Sequence, residues 1–139
     1  MNTAARIVIA DDDPDLRDLL ALKMVMAGFE VYTARNGAEA VAAVTEHDPA
    51  LVILDWMMPE LDGVEVFQRL RRGGRTDPPV IFLSARADPP ALLMDPVPAR
   101  VDYITKPYDP QRLVDRTTQL IAASRRQPLP TATGPRPAA

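Results

Sequence analysis

Three apolar runs and one mixed strand-like run in this sequence stop on residues that carry charge or hydroxyl chemistry. Ile7-Val8-Ile9 leads into Asp11, Asp12 and Asp13, and Leu51-Val52-Ile53-Leu54 ends on Asp55. Pro79 to Leu83 ends at Ser84, and Asp102-Tyr103-Ile104-Thr105 ends at Lys106. Four β-favouring residues in a row, bounded by Pro49 and Pro59, are what a strand covered on both faces of a parallel sheet needs. Such strands deliver their last residues to the carboxyl edge of the sheet, where open α/β folds bind ligands. If the first and third strands are neighbours, Asp11, Asp12 and Asp55 converge there. Like charges a few Å apart raise at least one pKa and destabilise the fold unless a divalent cation and Lys106 neutralise them. An oxygen-only donor set fits Mg²⁺, which takes one or two carboxylates and keeps room for a phosphoryl oxygen.

The intervening segments supply the elements that would hold these residues in place. Asp13 before Pro14 is a good N-cap with proline at the first helical position, and Leu16, Leu19, Leu20 and Met24 recur at helical spacing until Gly28. Phe29 to Ala34 alternates as a strand does, and Asn36 with Glu39 resembles a capping box opening a helix through His47. After a turn from Pro59 to Gly63, Val64, Phe67 and Leu70 share a helical face closed by Gly73-Gly74. Between Ala87 and Ala99 the prolines at 89, 90, 96 and 98 predict a short or irregular fourth helix, since interior prolines cost about 3 kcal/mol each. Asp109 and Pro110 open a last helix marked by Leu113, Thr117, Leu120 and Ile121.

Strand and helix thus alternate five times, which predicts a five-stranded parallel sheet with helices on both faces. The doubly wound, flavodoxin-like (βα)5 order 2-1-3-4-5 puts strands one and three side by side at the switch point. One domain over residues 1–126 is expected, with a disordered proline-rich tail over 127–139.

Composition narrows the chemistry. With 139 residues, 47% hydrophobic and 25% charged, the chain suits one globular domain, and no apolar run approaches the roughly 18 residues of a membrane span. The N-terminus lacks the apolar middle of a secretory signal, so a cytoplasmic protein with no membrane contact is expected. No cysteine is present and His47 is the single histidine, which excludes disulfides, thiolate metal sites, histidine zinc clusters and histidine triads. A net charge of -3 offers no attraction to nucleic acid, so DNA-directed output is expected to come from a partner.

Taken together, the acid pair Asp11-Asp12 after a strand, Asp55 in Leu-Asp-Trp-Met-Met-Pro with Gly63 closing the turn, Ser84-Ala85, and Tyr103-Ile104-Thr105-Lys106-Pro107 resemble the receiver domain of two-component response regulators (the CheY-like family). Order and spacing agree over roughly Arg6 to Arg125. The resemblance implies that Asp55 accepts a phosphoryl group from a histidine kinase, a phosphotransfer protein or a small phosphodonor. It also implies that Asp12, Asp55 and the Met57 carbonyl bind Mg²⁺, with Asp11 contributing through water. Ser84 and Lys106 would grip the phosphoryl oxygens, Ser84 and Tyr103 would form the switch read by a downstream effector protein, and the Lys106–Pro107 peptide would be cis. In these terms the chain is a phosphoacceptor signalling domain that assists only its own phosphorylation and dephosphorylation.

Acids after an apolar strand can serve merely as helix caps. An EF-hand loop starting at Asp11 fails, because Leu16 stands where glycine is needed and Leu22 where glutamate is needed. Haloacid dehalogenase phosphatases also carry Asp-x-Asp after a strand, but want Thr or Val at the place of Asp15. The rival from another class is a pseudo-receiver, a phosphorylation-independent interaction module, for which the prolines of the fourth-helix segment are the hint. Those prolines also set the usual dimer face of the family in question. Met57 and Arg86, two residues beyond Asp55 and Ser84, cannot orient an attacking water, so a persistent phosphorylated state is expected.

Overall fold

The computed structural model of the chain describes residues 4–58, 61–73, 78–85 and 101–126. Five strands form its centre: β1 (Arg6–Ala10), β2 (Glu30–Ala34), β3 (Leu51–Asp55), β4 (Val80–Ser84) and β5 (Val101–Thr105). All neighbouring pairs are parallel and the order is β2-β1-β3-β4-β5, as the alternating pattern predicts. Among the described residues four helices accompany them, α1 (Pro14–Met26), α2 (Gly37–His47), α3 (Gly63–Gly73) and α4 (Pro110–Arg126). The segment expected to hold a short fourth helix, and the proline-rich tail, lie outside the described residues.

Successive residues of a strand point to opposite faces, and the core divides accordingly. Val8, Ala10, Val52, Leu54, Val80 and Phe82 face α2 and α3, where Ala40, Val66, Phe67 and Leu70 cover them. Ile7, Ile9, Leu51, Ile53, Ile81 and Leu83 face α1 and α4, where Leu20, Met24, Leu113, Val114 and Ile121 cover them. Burial on both sides explains why β1, β3 and β4 are continuous apolar runs, whereas the edge strands β2 and β5 are only partly buried.

Local signals place the helix ends. The Asp13 carboxylate caps α1 by accepting from the Asp15 and Leu16 amides, and Gly28 follows the helix at a φ of 101°. Asn36 caps α2 through the Glu39 amide, while the Glu39 carboxylate accepts from the Arg35 amide rather than from Asn36 itself, one residue off the expected box. Two helical faces are rotated from expectation. Leu19 is 46% exposed, and α3 buries Val66 with Phe67 and Leu70 rather than Val64. In both cases the apolar residues span more of the helix than the sheet can cover.

Thr117 is fully buried on the core side of α4, and its hydroxyl has no hydrogen-bond partner among the described residues. A buried unpaired hydroxyl costs about 1–3 kcal/mol. Thr117→Val keeps the shape and removes the group, so it should stabilise the domain by about 1 kcal/mol and raise Tm by about 4 °C in a thermal melt. A lower Tm would show that the hydroxyl has a partner.

Candidate functional site

Parallel pairing brings the ends of β1, β3, β4 and β5 to one edge of the sheet. Ala10 pairs with Leu54 and Asp55 with Leu83, so Asp11, Asp55 and Ser84 emerge at nearly the same height. All three are buried, Asp11 being 1%, Asp55 5% and Ser84 2% exposed. The Lys106 amide donates to the Ser84 carbonyl and continues the β5 ladder by one residue, and the Lys106–Pro107 peptide is cis. From this position the Lys106 ammonium lies 3.3 Å from Asp55 Oδ2 and 3.4 Å from Asp11 Oδ2.

Asp11 is held at several points. Its amide donates to the Ala34 carbonyl, Oδ1 accepts from the Asp13 amide at 2.9 Å, and Oδ2 faces Lys106. Asp55 Oδ1 accepts from the Met57 amide at 3.3 Å. Asp12 is exposed at the rim, and one carboxylate oxygen from each of Asp11, Asp12 and Asp55 lies within 4.8 Å of the others. Oxygens at neighbouring positions of an octahedral Mg²⁺ ion lie about 3 Å apart, so the trio would draw together, or act partly through bound water, to share a cation. All-carboxylate chemistry of this kind suits a hard ion.

The electrostatics show the same convergence. Burial, reinforced by the Asp11 charge and opposed by Lys106, pushes the Asp55 carboxyl up to about 7. Burial acts to lower the Lys106 ammonium, but Asp55 and Asp11 together outweigh it and hold the group above its usual range. Tyr108 is pushed up to about 12 by burial and by the charges of Asp11, Asp55 and Asp13.

The structure therefore brings together Asp11, Asp12, Asp55 and Lys106, with Ser84 at the end of the adjoining strand. The Met57 side chain is 67% exposed while its amide serves Asp55. Tyr103 sits back from the edge on β5, opposite Phe82 and half-buried against the face covered by α2 and α3. Trp56 meets the Phe82 ring edge-on at 4.9 Å. Sequence reasoning missed Arg17, whose guanidinium donates to the Asp11 carbonyl at 3.2 Å. Its signal was a cation in the first turn of α1, where the helix dipole disfavours one. Arg86, expected near the site, lies outside the described residues.

A raised carboxyl pKa has a definite sign for stability. Between the ordinary value of 3.8 and about 7, the folded chain binds a proton at Asp55 that the unfolded chain has lost. Stability without a divalent cation therefore falls as pH rises through that window, and the loss is complete above it. Asp55→Asn should remove this dependence and exceed wild type at pH 8 by on the order of 2 kcal/mol, with little difference at pH 4. Paired thermal melts across pH in chelator check this, and a variant less stable than wild type at pH 8 would contradict it.

Comparison with known proteins agrees with the geometry. Residues 7–118 match the family model described as the response regulator receiver domain. The chain is 38% identical over 111 residues to the phosphate regulon transcriptional regulatory protein PhoB of Pseudomonas aeruginosa, covering 79% of this chain and 48% of that protein. It is 38% identical over 124 residues to the DNA-binding dual master transcriptional regulator RpaA of Synechocystis, covering 88% of this chain and 52% of the relative. It thus spans about half the length of these curated relatives. A solved CheY-like receiver domain protein from Methanospirillum hungatei superposes with a TM-score of 0.75 at 30% identity, covering 88% of this chain and 98% of that one. With its strand order, its acid cluster and this match over most of its length, the chain belongs to the response regulator receiver domain family.

Proposed function

We propose that Asp55 accepts a phosphoryl group, in a Mg²⁺-dependent reaction, from a histidine kinase, a phosphotransfer protein or a small acyl phosphate. The observation that carries this reading is the meeting of Asp55 with Asp11, Asp12 and the Lys106 ammonium at one sheet edge. A carboxylate oxygen of Asp55 forms the new bond to phosphorus while the bond from phosphorus to the donor's nitrogen or oxygen breaks, the electron pair leaving with the donor. Charge then lies on the three equatorial oxygens, and catalysis is mostly positioning and neutralisation. Lys106 supplies a cation within reach of the Asp55 oxygen, and Ser84 supplies a hydroxyl from the next strand. Asp11, Asp12, Asp55 and the Met57 carbonyl are the groups that would hold Mg²⁺, which when bound offsets the carboxylate charge and stabilises charge on the transferring group. Because Asp55 is pushed up to about 7, its nucleophilic form depends on that neutralisation.

Phosphorylated Asp55 presents new acceptor oxygens and added charge. The Ser84 hydroxyl moves toward them and the half-buried Tyr103 ring turns into the space vacated, changing the surface that an effector protein reads. The domain is a signalling switch that stops at one phosphate. The relatives are named as transcriptional regulators, one as DNA-binding, and this chain matches only about half of each. We assign any DNA contact to a separate domain or partner, in keeping with a net charge of -3. The cytoplasm, where histidine kinases act, is the compartment this reading requires. Among the described residues no helix is long and apolar enough to cross a membrane.

Incubation with Mg²⁺ and acetyl phosphate, followed by intact mass and Trp56 fluorescence, tests the assignment. Wild type should gain one phosphoryl group, Asp55→Ala none, and Lys106→Ala should be slowed about 100-fold. A wild-type protein without an Asp55-dependent response would instead be a pseudo-receiver, and phosphate release that persists in Asp55→Ala would mark a phosphatase.

A further inference from the structure

We propose that Arg17 is a positioning residue that sets where the Asp12 side chain leaves the backbone, and so the reach of its carboxylate, by fixing the peptide plane between Asp11 and Asp12. The inference rests on the Mg²⁺ site of the preceding section. Asp12 is the exposed member of the acid trio, so packing does not hold it. Its backbone is held instead. The Asp11 carbonyl, which belongs to the Asp11–Asp12 peptide unit, accepts from Arg17 NH1 at 3.2 Å. The Asp13 amide, which belongs to the Asp12–Asp13 unit, donates to Asp11 Oδ1 at 2.9 Å. Peptide units are planar, so fixing the two that flank a residue fixes its φ and ψ and the direction in which its Cβ leaves the chain. One of the two clamps is Asp11 itself, and the other is Arg17.

The cost of placing Arg17 there argues that it has a use. Its side chain is only 13% exposed, it sits in the first turn of α1 against the helix dipole, and its ion pair is with Asp18, which is 75% exposed. Its charge also reaches Glu39 at the start of α2. A mostly buried guanidinium that donates to a backbone carbonyl beside a metal-site carboxylate is placed to orient that carboxylate.

The sign of one measurement separates positioning from charge. Removing a cation near a cation site should, by Coulomb attraction alone, tighten Mg²⁺ binding. Positioning requires the opposite. Mg²⁺ titration of the full chain, read by Trp56 fluorescence, should give roughly ten-fold weaker affinity for Arg17→Met, with Arg17→Lys between it and wild type. Unchanged or tighter binding by folded Arg17→Met would overturn the proposal. Should Arg17→Met fail to fold, Arg17→Lys decides: weakened binding supports the role, and equal or tighter binding refutes it. A wild-type protein that shows no Mg²⁺ response is a distinct outcome, which removes the metal site and this inference with it.

Discussion

The structure turns on a conflict between burial and like charge at the carboxyl edge of the sheet. Asp11 and Asp55 are almost fully buried on adjacent parallel strands, and Asp12 stands beside them at the rim. The strands need that placement to pair in register, and the acids cannot leave without breaking the ladder. Lys106, delivered from the far side of β4, offsets part of the charge but cannot neutralise three carboxylates. Burial, with the Asp11 charge added to it, raises Asp55 to about 7, and a divalent cation is what would relieve it.

That conflict links the packing to the chemistry. The apolar runs of β1, β3 and β4 are buried on both faces, and the edge they present keeps Asp11 and Asp55 almost fully out of solvent. In such surroundings a charge is felt strongly, and adding a phosphoryl group to Asp55 changes the local balance by more than it would on a solvated surface. In the proposed switch, the hydroxyl of Ser84 and the partly buried ring of Tyr103 are the groups that would relieve that change. α1 joins in through Asp13, which caps it, and through Arg17, which reaches back to the Asp11 carbonyl.

Much of this was legible in the residues alone. The continuous runs Ile7 to Ala10, Leu51 to Leu54 and Val80 to Leu83 announce strands covered on both sides, and alternation with helical spacing leaves few topologies. The acids and Lys106 could be placed at one edge because strand ends are easy to read. What sequence could not show was which side of a helix wins when apolar residues wrap most of it, as with Leu19 and Val64. Nor could it show the clamp between Arg17 and a backbone carbonyl, because main-chain acceptors leave no mark in the sequence. Tyr108 is similar: its environment is set by burial and by the charges of Asp11, Asp55 and Asp13, which only the fold brings near it.

The account stands or falls on whether Asp55 is held in an unfavourable charge state that a cation relieves. Carboxyl carbon chemical shifts of Asp55, followed through a pH titration with and without Mg²⁺, measure this directly. The account predicts a midpoint near 7 in chelator and a fall to the acid end of the carboxylate range when Mg²⁺ is added. An ordinary midpoint near 4 in chelator, unmoved by Mg²⁺, would contradict it.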